Sequence, residues 1–154
     1  MSRSSVRQAK RTVYTVGYEG RTPAGLVAEL VGRGVDVLVD VRELPLSRRK
    51  GFSKTALRSV LSERGIRYVH MRELGSPREV RHRLKEDGDY GAFFKAYRAH
   101  LAGRSAVLSE LATLVSQGVC CLMCYERESD RCHRSVVAER VQATACSELA
   151  LVDI

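Results

Sequence analysis

The chain has 154 residues, 44% of them hydrophobic and 29% charged, with a formal net charge of +8 from 26 basic and 18 acidic residues. That size suits one domain able to bury roughly two thirds of its extended-chain surface, and the composition is that of a globular rather than a disordered protein. No run of about 18 apolar residues occurs, which excludes a membrane span; the opening MSRSSVRQAKR is basic but lacks the apolar core of a secretory signal, so a cytoplasmic location is expected.

Residues 1–11 read as a basic, disordered tail, in which Arg3, Arg7, Lys10 and Arg11 supply four of the positive charges. The remainder, 12–154, reads as a single domain with a net charge of only about +4, too little to demand a nucleic-acid partner but compatible with an anionic substrate.

VYTVGY (13–18) is a short buried strand. Thr22 then caps a helix with Pro23 at its first position and Leu26, Val27, Leu30 and Val31 as its apolar stripe, ended by Gly32 and Gly34. VDVLVDV (35–41) is the β-branched run of a strand covered on both faces. After the loop ELPLSRRKGF, Ser53 can cap a second helix with Ala56, Leu57, Val60 and Leu61 inward, and Gly65 stops it.

IRYVHM (66–71) is the third strand, and residues 75–89 are polar and irregular with room for one short basic helix. The spacing of Phe93, Phe94, Tyr97 and Leu101 marks a helix. Another follows, capped by Ser105, carrying Val107, Leu108, Leu111, Leu114 and Val115, and closed by Gly118. VCCLMCY (119–125) is the fourth strand, 134–144 a helix with Val136, Val137 and Val141 inward, and LALVDI (149–154) a final strand. Strands alternating with helices predict an α/β fold: a single compact domain whose mainly parallel sheet of about five strands is flanked by helices.

Ligands of open α/β sheets collect outside the carboxyl ends of the strands. The residues that follow each strand are therefore the place to look for chemistry. The first strand leads to Gly17, Tyr18 and Arg21, the second ends in Asp40 and Arg42, and the third carries His70. The fourth ends in Cys124 and Glu126, and Cys132, His133 and Arg134 open the next helix. Four strands thus deliver ionisable groups to one rim.

Five cysteines, three of them (Cys120, Cys121 and Cys124) crowded in one apolar run, read as reduced thiols rather than a disulfide framework. Cys120 and Cys121 lie deep in the strand. Cys132 falls near a helix N-terminus, where backbone N–H groups favour a thiolate. His133 can act as a base and Arg134 can hold an anion at the same helix end. Asp40, at the end of an apolar strand, needs a partner such as Arg42, Arg21 or Arg134, or else serves as an acid/base or a hydroxyl-recognising group. A metal is the second reading of Cys124, Cys132 and His133, with Glu126 or His70 as a fourth ligand. Their C-x7-C-H spacing lacks the C-x2-C pair of structural zinc sites, so no metal ligand is assigned and no cofactor is named. Gly17 and Gly20 do not make the G-x-G-x-x-G of a dinucleotide site. Arg48, Arg49, Lys50 and Lys54 form a basic cluster in the second loop.

The ordered set TVGYEGR, VDVLVDVR, P-x-S-R-R-x-x-F-S-K, IRYVHMRELGS and C-Y-E-x5-C-H-R-S resembles the domain of unknown function 488 family, from about Val13 to Ile154. That resemblance implies a compact α/β fold with an active site and no generally assigned reaction. It also implies that Gly17, Tyr18, Arg21, Asp40, Arg42, Pro45, Phe52, Tyr68, His70, Leu74, Gly75, Cys124, Glu126, Cys132, His133 and Arg134 occupy the family's motif positions. Gly75-Ser76 stands where many relatives have two glycines. VDVRE, a later strand-end cysteine and H-R-S leading a helix are similar, more weakly, to rhodanese domains, although nine residues separate Cys124 from Arg134.

These readings converge on an enzyme, a hydrolase or transferase, acting on a phosphate-bearing or nucleotide-like substrate. Cys132, Cys124, Glu126, His133 and Asp40 are its candidate catalytic groups, and Gly17, Tyr18, Arg21, Arg42, His70 and Arg134 its candidate binding groups. Alternatives are thiol-dependent sulfur or phosphoryl transfer on a rhodanese-like loop, and a non-catalytic nucleic-acid-binding accessory role for the basic tail and the 48–54 loop. The oligomeric state is not legible in the sequence.

Overall fold

Among the described residues, five short runs pair side by side: β1 (Arg11–Gly17), β2 (Val37–Asp40), β3 (Arg67–His70), β4 (Cys120–Cys124) and β5 (Leu149–Asp153). The computed structural model describes residues 11–144 and 148–154. All the ladders are parallel, and the strand order is β3-β2-β4-β1-β5. β2 and β4, in the middle, are buried at every position, as their unbroken apolar runs require.

Among the described residues there are six α-helices, five of which pack on the sheet and the third of which stands off it: α1 (Pro23–Gly32), α2 (Lys54–Ser62), α3 (Arg78–Asp87), α4 (Tyr90–Ala102), α5 (Ser105–Gln117) and α6 (Arg134–Thr144). Leu26, Val27 and Leu30 of α1 and Leu57 and Leu61 of α2 pack on one face with Val16, Leu38 and Met123. Tyr97 and Leu101 of α4, Leu111 of α5 and Val136, Val137 and Val141 of α6 pack on the other with Val39, Leu122 and Cys120. This division follows from chain direction. Crossovers are right-handed, so β1→β2→β3 runs one way with its helices on one face, and β3→β4→β5 runs back with its helices on the other.

Local chemistry sets the helix ends. The hydroxyl of Thr22 accepts the Gly25 N–H at 3.0 Å, with Pro23 filling the first turn. Ser53 precedes α2, but its hydroxyl accepts the Ser47 N–H at 3.1 Å and so ties the long loop rather than the helix. Val31, expected on the inward stripe of α1, is exposed. β1 begins at Arg11, two residues before its apolar run, and the Arg11 guanidinium reaches the carbonyls of Val115 and Ser116 at the end of α5. The other basic residues of the tail lie outside the described residues.

The largest difference from the sequence reading is α3. Its ten residues form a full helix in the segment expected to be mostly irregular, and none of them is buried. Apolar periodicity has nothing to register in a helix that stands off the core. No helix among the described residues is long and apolar enough to cross a membrane.

Candidate functional site

β4 occupies a special place in this topology. Its neighbours β1 and β2 both lead to the α1/α2 face, whereas β4 itself leads to α6 on the opposite face. A topological switch point therefore flanks β4 on each side, and its carboxyl end opens into the crevice where ligands of such sheets bind. Cys124 is the last residue of the strand, in register with Gly17 of β1.

On the β2 side of the crevice lies a closed polar cluster. Asp40 has no exposed surface; its two oxygens take the Arg42 guanidinium at 2.9 and 2.7 Å, the Arg42 N–H at 3.1 Å and the Tyr68 hydroxyl at 2.5 Å. Burial works against the charge of Arg42, but the bonds and charge of Asp40 outweigh it and raise its pKa. Burial, with Asp40 beside it, also raises the pKa of Tyr68, so the phenol keeps the proton that it donates. The ring of Tyr18 lies against the Arg42 guanidinium at 5.3 Å and stacks on Phe52 at 4.6 Å. His70 meets the Arg42 carbonyl at 2.7 Å, and because a carbonyl only accepts, its Nε2 carries the proton.

On the β4 side, the turn 129–131 folds Cys132 back over the strand end. Cys124 and Cys132 are joined there in a disulfide, whereas Cys120 and Cys121 are buried free thiols. The expectation of reduced thiols is thus corrected for the first pair: a turn, invisible to cysteine spacing, brings them together. Cys146 lies outside the described residues. Burial pushes the Cys120 thiol up to about 11 and the Cys121 thiol higher still, as suits inert core residues.

His133 donates from Nε2 to the Val41 carbonyl at 2.6 Å, which leaves Nδ1 unprotonated and 3.7 Å from the Cys132 sulfur. Its ring meets that of Tyr97 edge-on at 5.1 Å, and the Tyr97 hydroxyl donates to the Leu74 carbonyl at 2.5 Å. Burial lowers the pKa of His133 to about 4, so the imidazole is neutral at physiological pH. Cys124 Sγ, Cys132 Sγ and His133 Nδ1 all lie within 4.8 Å of one another, the donor set that can hold a metal ion.

Arg134 stands behind this corner with no exposed surface. It donates to the Cys124 sulfur at 3.2 Å, to the carbonyls of Glu126 and Arg127 and to Asp153 Oδ1 at 3.2 Å. Only its Nε lacks a partner among the described residues. Glu126 Oε2 is 3.6 Å from the Cys124 sulfur, and burial raises the pKa of this carboxyl.

A cavity of about 590 Å³ opens over both regions. Of the residues singled out in the sequence, Tyr18, Arg42, Cys124, Glu126, Cys132 and His133 line it; Gly17, Arg21, Asp40, His70 and Arg134 do not. Gly17 sits beneath the wall, where a Cβ would overlap the Glu126 carbonyl. Gly75 is similar, since a Cβ there would overlap the backbone of Glu43. The next position is the lining residue Ser76, whose carbonyl accepts from Arg81 at 2.7 Å.

Sequence reasoning missed part of the lining. Arg81 and Lys85 come from α3 and Arg131 from the turn before Cys132, and Leu44, Leu46, Tyr90 and Tyr125 join them. The i, i+4 spacing of Arg81 and Lys85 was the available signal. Of the 48–54 basic cluster, Arg49 is engaged structurally: it donates to the carbonyls of Tyr18 and Arg21 and packs 5.2 Å from the Phe52 ring.

Residues 24–141 match the family model described as Domain of unknown function DUF488. The chain belongs to that family. The family match spans the closed cluster and the Cys124–Arg134 corner, while Gly17, Tyr18 and Arg21 precede it. No curated protein and no solved structure matches the chain significantly.

Proposed function

We propose that the protein is an enzyme, a hydrolase or transferase, acting on a phosphate-bearing or nucleotide-like substrate in the cavity at the carboxyl end of β4. One observation carries this reading. Of the five large exposed apolar residues among the described ones, four (Leu44, Leu46, Tyr90 and Tyr125) line the same cavity as the cations Arg81, Lys85 and Arg131. Aromatic surface beside cations suits a ligand with a flat or apolar part and an anionic part. Phosphate would lie among Arg81, Lys85 and Arg131, with a ring against Tyr125 or Tyr90. Glu126, whose proton is held more tightly by burial, is the acid/base, and Cys132, beside the Nδ1 of His133, the nucleophile. Asp40 acts through Arg42 as a positioning group, and Arg134 acts on Cys124.

The reading is tested with inorganic phosphate and a set of nucleoside monophosphates as thermal stabilisers. A nucleotide is expected to raise Tm more than phosphate does. Arg131→Ala should weaken both ligands by about tenfold, as loss of one charge-assisted bond implies. Tyr125→Ala should weaken the nucleotide alone, and Glu126→Gln should abolish turnover without lowering Tm. If no phosphate-bearing compound stabilises the protein, the proposal fails.

The bond from Arg134 to the Cys124 sulfur favours a second reading, sulfur or phosphoryl transfer by a Cys124 thiolate. In the reduced protein one thiol should then be alkylated quickly at neutral pH and protected by phosphate or sulfate. Uniformly slow labelling would exclude it.

A further inference from the structure

We propose that, once the Cys124–Cys132 disulfide is reduced, these two cysteines and His133 form a zinc-type metal site of the catalytic kind, with three protein ligands and a fourth position open to the cavity. The site goes beyond the substrate reading and does not depend on it.

Donor chemistry comes first. Two sulfurs and an imidazole nitrogen are the ligands that borderline-soft divalent ions select, and all three atoms lie within 4.8 Å of one another. Bonds of about 2.3 Å to sulfur and 2.0–2.1 Å to nitrogen on a tetrahedral ion set the ligands about 3.6 Å apart. His133 Nδ1 and Cys132 Sγ are 3.7 Å apart.

Orientation is the second observation. The hydrogen bond from His133 Nε2 to the Val41 carbonyl fixes the tautomer and aims the Nδ1 lone pair at the sulfurs. Metal-bound histidines are held in this way by a carbonyl or carboxylate on the far nitrogen. The Tyr97 ring, anchored by its own hydroxyl to Leu74, fixes the plane of the imidazole.

Third, a buried guanidinium donates to the Cys124 sulfur at 3.2 Å. Arg134 has no exposed surface, and its carboxylate partner among the described residues, Asp153, is partly exposed. A fully buried cation on a sulfur suits a thiolate, a strong acceptor, far better than a neutral sulfur. The backbone agrees. The Cα atoms of Cys124 and Cys132 are 7.5 Å apart, wider than the 4.4–6.8 Å that disulfides usually span. Two thiolates on one ion sit about 3.8 Å apart and fit that wider spacing.

All three ligands line the cavity, so the fourth position faces the substrate space, near Glu126. The balance is simple. A thiol or phosphine reductant supplies two electrons, and two protons from solvent complete the opening of the disulfide to two thiols; the divalent ion then binds two sulfurs and one neutral imidazole, and the two thiol protons leave to solvent.

The experiment uses the full chain, kept reduced by a phosphine, stripped with a chelator and titrated with Co2+ alone in the absence of any phosphate compound. One Co2+ per chain is expected, with the visible bands of a tetrahedral ion, thiolate-to-cobalt charge transfer in the near ultraviolet and release of two protons. Zn2+ should displace the cobalt and bleach the spectrum. Cys132→Ser and His133→Ala should each weaken Co2+ binding by at least about 100-fold. Cys120→Ala, a core substitution away from the site, should leave it unchanged. Should a variant fail to fold, the wild-type protein still decides: Zn2+ must protect Cys124 and Cys132 together from alkylation, and a chelator must expose them together. The proposal is overturned if the reduced protein takes up no Co2+, or if uptake and spectrum survive both substitutions. Either result leaves the phosphate-binding measurements standing, because those do not involve the metal.

Discussion

Two polar regions share the carboxyl end of the sheet and differ in kind. Around Asp40, each strong acceptor has a donor: the carboxylate is covered by Arg42 and Tyr68, and Arg42 in turn by Tyr18. Around Cys124, a disulfide and the neutral His133 nitrogen meet, and the nearest cation, Arg134, lies behind them rather than between them. Buried polar groups that satisfy one another hold a shape, whereas a sulfur pair and an imidazole that reduction turns into three converging donors are, on the proposal above, arranged for something that enters. The first region is a strut, and the second, on the proposal above, is a socket when reduced.

The contrast is broken most forcefully by Asp40→Ala. It leaves a buried guanidinium without its counter-charge and should cost about 3–5 kcal/mol in urea unfolding. A loss below about 1 kcal/mol would place the pair in the solvated class and dissolve the distinction. Gly17→Ala comes next, at about 1–3 kcal/mol, since its methyl must displace the Glu126 carbonyl of the loop that carries the acid. Tyr97→Phe strips the Leu74 carbonyl of its donor and should cost about 1–2 kcal/mol, read from thermal unfolding. Cys132→Ser sharpens the comparison from the other side: turnover should be lost while stability in reducing buffer changes by less than about 1 kcal/mol. A stability loss there as large as that of Asp40→Ala would make the cysteine corner a second strut.

Much of the fold was legible because its elements obey local rules. α6 spans the residues that its apolar spacing marks, and Thr22-Pro23 opens α1 through its own capping bond. The alternation of elements implies the parallel sheet, but strand order does not follow from it, and the two switch points beside β4 depend on that order. Ionisable strand ends pointed to the rim, yet could not separate groups facing the cavity from groups behind it. Arg42 and Arg134 look alike as strand-end and helix-start arginines. In the fold one lines the cavity, and the other is enclosed by four acceptors on three segments of chain. Tyr68 as a partner of Asp40, and α3 as a wall, depend on tertiary neighbours that no local pattern encodes.

α3 contributes Arg81, Leu84 and Lys85 to the cavity and no residue to either core. Near Arg81 it is tied by that residue's bond to the Ser76 carbonyl and its exposed pairing with Glu43. The residues that hold the core and those that line this side of the cavity therefore lie in different parts of the chain. On the reading proposed above, substitutions along the cavity face of this helix change which anion is admitted at little thermodynamic cost, whereas the floor beneath them, made from the central strand, tolerates almost none. A scaffold divided in this way separates the residues that hold the fold from those that line the cavity.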